Sequence, residues 1–156
     1  MESRMIQELI KGCLETLYMV GVTTLVAYLI GMPLGVVLCV TDKNGICPLR
    51  PVNLLLGVII NILRSVPFLI LLVAVMPFTR AIVGKTYGSG ATIVPLVIAA
   101  APFVARMVES SLKEVDAGVI EAAESMGSSR LQIIWKVLLP EAKPSLIVGG
   151  AIGITT

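Results

Sequence analysis

The sequence predicts an all-α membrane protein with about three complete spans, a truncated fourth, and a charged two-helix loop before the fourth. Hydrophobic residues make up 56% of the 156 positions and charged residues only 14%, whereas soluble domains are nearer a quarter charged. The mean hydropathy is +0.97. Two uncharged runs, Thr16–Thr41 and Thr86–Ala105, are long enough to cross a bilayer.

The first span is predicted over Leu17–Val40. Its run is too long for a secretory signal peptide, and three glutamates lie within the first 15 residues where a signal peptide would be basic. Gly31 and Gly35 flank Pro33, and small residues let membrane helices approach closely. We expect Pro33 to kink the helix without a role in substrate binding.

The second span is interrupted. After a polar turn at 41–51, the chain is uncharged from Pro51 to Thr79 except for Arg64. Pro67 lacks an N–H and should bend the helix. Arg64 and Pro67 are therefore candidate functional residues of the membrane region, since an intramembrane arginine often marks a functional site. Snorkelling of Arg64 to the headgroups is an equal alternative.

The third span is predicted over Thr92–Val108, with Arg106 and Glu109 at its edge as a local ion pair at i,i+3 spacing. The final apolar run, Ser145–Thr156, would reach only about 18 Å. From its length we expect a truncated fourth span in one membrane domain over residues 1–156. Lysine and arginine are enriched on the side of the 113–140 loop when the N-terminus is outside, which places this loop in the cytoplasm.

Other function classes have little support. A net charge of +2 gives no reason to expect nucleic acid, and the chain has no histidine and only three scattered cysteines, so neither a metal site nor a catalytic site is predicted. Gly84-Lys85-Thr86 ends like a phosphate-binding P-loop, but position 79 is threonine where that motif needs glycine. We expect no cofactor bound to this chain.

The loop at about 113–140 predicts two short amphipathic helices. Asp116 can cap the first helix, Gly127 suits the left-handed position that closes it, and Ser128 or Ser129 can cap the second. Pro140 is expected to end the second helix. The apolar positions follow helical spacing: Val115, Val119, Ala122, Ala123 and Met126 in the first helix, and Leu131, Ile134, Trp135 and Leu138 in the second.

Helices this short need a surface to pack against. The residues alone leave three possibilities open: the end of the helix bundle, the lipid headgroups, or a groove on a partner protein.

The loop resembles the EAA signature of ABC importer permeases, which reads EAA, three residues, Gly, nine residues, Ile, one residue, Leu-Pro. The sequence has valine, Val137, at the isoleucine position. The residues that match, and that the resemblance identifies as the ATPase-coupling residues, are Glu121, Ala122, Ala123, Gly127, Leu139 and Pro140.

Further stretches, among them NILRSVPFLILL and AAPFVARMVE, are similar to the permease subunits of methionine importers. The resemblance implies the type I ABC importer fold, a homodimer in the bacterial inner membrane, cytoplasmic ABC ATPase subunits that use the ATP, and an extracytoplasmic substrate-binding protein. It implies transport of methionine or a related amino acid, with no enzymatic activity in this chain. Against the five spans of that family, part of the fourth and the fifth would be missing.

Three other classes remain as alternatives. A membrane-embedded scaffold or assembly protein would not stimulate an ATPase. A channel or secondary transporter would favour ionisable groups at the membrane midplane, for which Arg64 is the sole candidate. An enzyme is disfavoured by the lack of histidine and of paired carboxylates within a span.

Overall fold

The computed structural model describes residues 2–155, and every regular element in that range is helical. Two helices are long and apolar enough to cross a membrane. One lies within α1 (Glu2–Val40) and the other is α4 (Ser89–Lys113). Between them lie α2 (Arg50–Ser65) and α3 (Phe68–Val83). Counted as one broken span, that pair gives the three spans that the sequence predicts.

The break between α2 and α3 lies where the sequence predicts a bend. Pro67 occupies the position before α3, and the two helices are bent by 112° there. Proline cannot donate a backbone hydrogen bond and disfavours a helical conformation in the residue before it. Val66 accordingly has extended backbone angles, with ψ at 125°. The bend is thus a full interruption rather than a kink within one helix.

The first helix is longer than predicted and continues through Pro33, starting at Glu2 rather than Leu17. The third predicted span also extends at both ends, to Ser89 and Lys113. After α4 come α5 (Ala117–Ser125), α6 (Arg130–Ile133), a π-helical segment (Ile134–Leu138), α7 (Leu139–Glu141) and α8 (Lys143–Thr155). The last of these corresponds to the predicted fourth apolar run.

The centre of the bundle is α4, which contacts α1, α2, α3 and α8. Its close approach to α1 depends on two glycines. A methyl group added at Gly31 would lie 2.7 Å from Cβ of Val104, and one added at Gly35 would lie 2.6 Å from the carbonyl oxygen of Ala105. The expectation that these glycines permit close packing is confirmed, and their partner is α4.

The main apolar core joins the two long helices to the segment after the loop. Its buried residues are Ala27 from α1; Val104, Val108 and Leu112 from α4; and Leu138, Ala142 and Leu146 from the C-terminal part. A smaller cluster of Leu38, Ile60 and Ala105 joins α1, α2 and α4. The 113–140 loop therefore leaves the bundle at Lys113 and rejoins the same core at Leu138.

We predict that Gly35→Ala destabilises the protein whereas Gly21→Ala does not. The added methyl group at position 35 has no room against α4, and overpacking of this kind costs about 1–3 kcal/mol. Gly21 lies on the same helix with no atom within 4 Å of an added methyl group, so alanine there should be neutral or stabilising. Thermal unfolding of the two variants in detergent provides the measurement. Equal melting temperatures would contradict the packing argument.

Candidate functional site

The first loop helix, α5, begins and ends at the predicted residues. The Asp116 carboxylate accepts a hydrogen bond from the backbone N–H of Gly118 at 2.7 Å, which caps the helix. At the other end Gly127 has a φ of 79°, and its N–H donates to the carbonyl of Glu124 at 2.9 Å. This left-handed conformation favours glycine because a Cβ atom would be strained there. The predicted helix cap at Asp116 and the predicted left-handed conformation at Gly127 are both confirmed.

The second loop helix begins at a capping box. Ser129, one of the two serines considered, accepts from the backbone N–H of Gln132 through its hydroxyl oxygen. The Gln132 side chain in turn accepts from the backbone N–H of Ser129 at 2.9 Å. The reciprocal pair satisfies two N–H groups at the helix start. With Gly127 two residues earlier, the chain turns at a fixed angle between α5 and α6. We call the segment from α5 to the start of α6 the elbow.

Pro140 does not end the second helix, contrary to the prediction. The chain remains helical from Arg130 through Glu141. The turn before Pro140 widens into the π-helical segment Ile134–Leu138, in which the N–H of Leu139 donates to the carbonyl of Ile134. Because proline in a regular α-helix clashes with the carbonyl four residues earlier, this wider turn gives Pro140 room. The elbow therefore connects to α8 through almost continuous helix.

The apolar stripe predicted for α5 is divided between the bundle and the exposed surface. Ala123 is 3% exposed, and Val115 is half-buried against the main core. Ile120, which the stripe did not include, also packs against that core. Val119, Ala122 and Met126 are exposed, with Met126 at 80%. The inward face is rotated towards Ile120, which leaves part of the predicted apolar stripe uncovered.

The second helix departs from its predicted face in the same way. Leu138 is buried as expected, but Ile133 is the other deeply buried residue. Leu131 and Trp135 are 69% and 70% exposed and line one side of an apolar groove of about 860 Å³ whose other wall is α1. The π-helical segment changes the angular spacing between residues 133 and 138, so a constant α-helical period cannot give the correct face.

The elbow also contacts the turn that follows α1. The Arg130 guanidinium donates to Sγ of Cys47 at 3.2 Å. Nearby, the Lys113 ammonium lies 2.7 Å from the Asp42 carboxylate. The hydrogen bond from Lys113, with a second from the backbone N–H of Lys43, lowers the pKa of the Asp42 carboxyl below its ordinary value. On acidification, the pair is therefore kept until the pH falls through that lowered pKa.

Arg64 and Pro67 lie apart from the elbow. Arg64 is exposed in the last turn of α2 and borders a cleft of about 700 Å³ beside α4 and α8. Polar residues that share this cleft include Arg106, Ser110, Glu114 and Ser145. Pro67 lies at the break, immediately before α3. The elbow residues Glu121–Gly127 and the Arg64 region are thus two separate features joined through α4.

Sequence reasoning missed most of the polar network at the loop end of α4. The predicted pair between Arg106 and Glu109 is confirmed at 2.7 Å. Glu109 also pairs with Lys113 at 2.8 Å, and Arg106 donates to the side chain of Asn61 at 3.0 Å. The i,i+4 spacing of Glu109 and Lys113 is a signal that could have predicted the pair between these two residues. The contact with Asn61 has no counterpart in the local sequence pattern.

We predict that Ser129→Ala loosens the start of α6. Loss of a serine N-cap costs about 1 kcal/mol, so the backbone amides of Gln132 and Ile133 should exchange hydrogen several-fold faster. Ser128→Ala is the matched control, because the Ser128 hydroxyl does not cap the helix. Hydrogen–deuterium exchange with mass spectrometry measures both, and equal exchange in the two variants would contradict the capping role.

Comparisons with known proteins agree with this architecture. Residues 27–156 match the family model described as the binding-protein-dependent transport system inner membrane component. The chain is 52% identical over 142 residues to the probable D-methionine transport system permease protein MetI of Vibrio cholerae, covering 91% of this chain and 63% of that protein. It is 47% identical to MetI of Salmonella typhimurium and 46% identical to MetI of Escherichia coli K12, covering 100% of this chain and 72% of each relative.

Solved structures of ABC transporters are also similar to this chain. The chain superposes on a chain of the MetNI methionine ABC transporter in an inward-facing conformation with a TM-score of 0.95 and 46% identity, covering 99% of this chain and 71% of that chain. An amino acid ABC transporter structure with histidines shares the fold at a TM-score of 0.62 and 20% identity, covering 95% of this chain and 69% of its counterpart. The protein has the type I ABC importer transmembrane fold and belongs to the binding-protein-dependent transport-system inner-membrane components, among the methionine permease subunits.

Proposed function

We propose that this chain is the permease subunit of an ATP-driven importer for methionine or a related amino acid, and that its elbow couples an ATPase to the spans. The observation that carries the proposal is the exposed surface of α5. Glu121, Ala122 and Met126 point away from the bundle, while Ala123 between them is buried. A surface with a small side chain beside a large exposed apolar one fits a helix that lies in a groove on a partner.

The inward side of the elbow supports a mechanical role. Ala123 is buried, and the neighbouring Ile120 packs on the core that contains Leu112 of α4 and Leu138 at the end of the π-helical segment. A displacement of α5 therefore acts on both ends of the loop at once. Tightly packed elements move as bodies rather than deform continuously. We expect ATP-driven closure of the partner to move α4 and α8 in this way.

The proposed partners follow from the family. They are cytoplasmic ABC ATPase subunits, which hold and hydrolyse the ATP, an extracytoplasmic substrate-binding protein, and a second copy of the chain. The relatives are named D-methionine permeases, which supports methionine as the substrate class. We further propose that the N-terminus faces outward and the elbow inward, as the lysine and arginine bias indicates.

The break at Pro67 has a place in this proposal. Because α2 and α3 both contact α4 yet have no regular helix between them, α2 can tilt without carrying α3 rigidly along. Hinges in membrane and soluble proteins are short interruptions of this kind. Arg64, one turn before the hinge and beside the cleft, lies where such a tilt would change the width of the cleft.

We predict that Gly127→Val uncouples uptake from ATP hydrolysis. A β-branched residue is strained at a φ of 79°, at a cost of about 1–3 kcal/mol, and should change the angle of the elbow. In vesicles that contain the chain with its ATPase and binding protein, the variant should retain ATP hydrolysis but lose most methionine uptake. Gly127→Asn is the matched control, because asparagine tolerates the left-handed conformation. Normal uptake by Gly127→Val would count against coupling through this elbow.

We predict that a cysteine cross-linker attached at position 122 captures the ATPase subunit, whereas one at position 123 does not. Ala122 is exposed and Ala123 is 3% exposed, so only the former is available to a partner. The measurement is a mobility shift of the ATPase on a denaturing gel after cross-linking in intact cells. A membrane scaffold without an ATPase partner would give no such cross-linked product from Ala122→Cys. Such a scaffold would also not stimulate ATP hydrolysis.

A further inference from the structure

One buried carboxylate organises the polar contacts at the loop end of α4. The side chain of Glu109 is 8% exposed, and each of its oxygens accepts from a cation. Oε2 accepts from Arg106 Nη1 at 2.7 Å, and Oε1 accepts from Lys113 Nζ at 2.8 Å. Burial of an unpaired carboxylate is strongly unfavourable. Glu109 is therefore fixed between two cations of its own helix.

Both cations extend beyond α4 to other elements. Arg106 donates through Nη2 to Asn61 Oδ1 at 3.0 Å and to the carbonyl of Gly57 at 3.3 Å, both on α2. Lys113 reaches the Asp42 carboxylate at 2.7 Å, in the turn after α1. One carboxylate thus orients two side chains that hold α4 to two different parts of the chain.

A third contact closes these links into a ring. The side-chain amide of Asn53 on α2 donates to the carbonyl of Leu38 at 2.8 Å and to Oγ1 of Thr41 at 3.2 Å, at the end of α1. The end of α1, the helix α2 and the end of α4 are therefore joined pairwise by polar contacts: Asn53 near the start of α2 contacts α1, and Asn61 further along α2 contacts α4. We call this set, centred on Glu109, the polar ring.

The polar ring lies between the elbow and a weak point of α4. Lys113 is the last residue of α4, and Asp116 caps α5 directly after it. On the other side, Pro102 precedes Arg106 by about one turn and cannot donate to the carbonyl of Ile98, so α4 bends more easily there. A force applied at α5 reaches the polar ring before it reaches this point.

From this arrangement we infer that Glu109 is a positioning residue for coupling. Through Arg106 and Lys113 it makes the end of α4, the helix α2 and the turn after α1 move as one body with the elbow. Movement of the elbow is then transmitted to the hinge at Pro67, because α4 does not bend to absorb it. The inference rests on the proposed function, since it assigns a transmitting element to the same coupling site.

We predict that Glu109→Gln lowers the amount of methionine taken up per ATP hydrolysed by about three- to tenfold, which lies within the effect that single residues of a coupling network have. Glutamine is isosteric, but its amide group faces a cation with a donor, so one of the two contacts is lost. Glu109→Asp keeps the charge and should recover most of the ratio. Glu15→Gln, which removes an exposed carboxylate of α1, should leave the ratio unchanged.

The ratio separates positioning from simple destabilisation, because loss of folded protein lowers uptake and hydrolysis together. Asp42→Asn, which removes the outer partner of Lys113, should lower the ratio too, and should add little to Glu109→Gln because both act on one network. If Glu109→Gln does not accumulate in the membrane, Asp42→Asn alone decides the question.

A normal ratio in Glu109→Gln, or in Asp42→Asn alone when the first variant is absent, would overturn the inference while the proposed function stands. Equal loss in Glu15→Gln would overturn it as well. Failure of the unaltered chain to support uptake or stimulate its ATPase would instead refute the proposed function, and the inference with it.

Discussion

The close contact between α1 and α4 at two glycines is the constraint on which the rest of the structure depends. In a lipid environment helices gain little from burying apolar side chains, so their association depends on close packing and on polar contacts. Gly31 and Gly35 allow the backbone of α1 to lie against Ala101, Val104, Ala105 and Val108. This contact places the end of α1 beside the end of α4, and only then can Lys113 reach Asp42 across the two chain segments.

The two kinds of contact have different roles along α4. Towards the middle of α4, the glycines of α1 have no side chain to hold the two helices apart, and this sets the distance between α1 and α4. Towards the loop, charged and amide side chains fix the orientation of α2 and of the turn after α1. A buried carboxylate contributes little net stability compared with apolar residues of similar volume, but removal of one partner from such a group is costly. The polar ring is better understood as a device for specificity of arrangement than as a source of stability.

Short-range rules predicted the parts of the site that local chemistry controls. Asp116, Gly127 and Ser129 have their expected capping or left-handed roles because each depends on residues within one helical turn. The buried faces of the loop were not predictable in the same way. Ile120 packs against the core to which Leu112 of α4 and Leu146 of α8 contribute. Ile133 is buried immediately before the π-helical segment, which changes the spacing between residues 133 and 138. The contact between Lys113 and Asp42 joins residues far apart in the sequence, and no periodic pattern encodes it.

The helix around Pro140 bears on the proposed coupling, in which the elbow and the bundle move together. If the helix ended there, a flexible corner would separate the elbow from α8, and motion of α5 would be lost. Instead the π-helical turn gives the proline ring room, and helix continues to Glu141, one residue before the buried Ala142 and two before α8. The Ser145 hydroxyl donates to the Glu114 carboxylate, which joins the start of α8 to the end of α4. The Leu-Pro end of the signature thus lies within almost continuous helix between the elbow and α8, whereas α2 and α3 are separated by the break at Pro67.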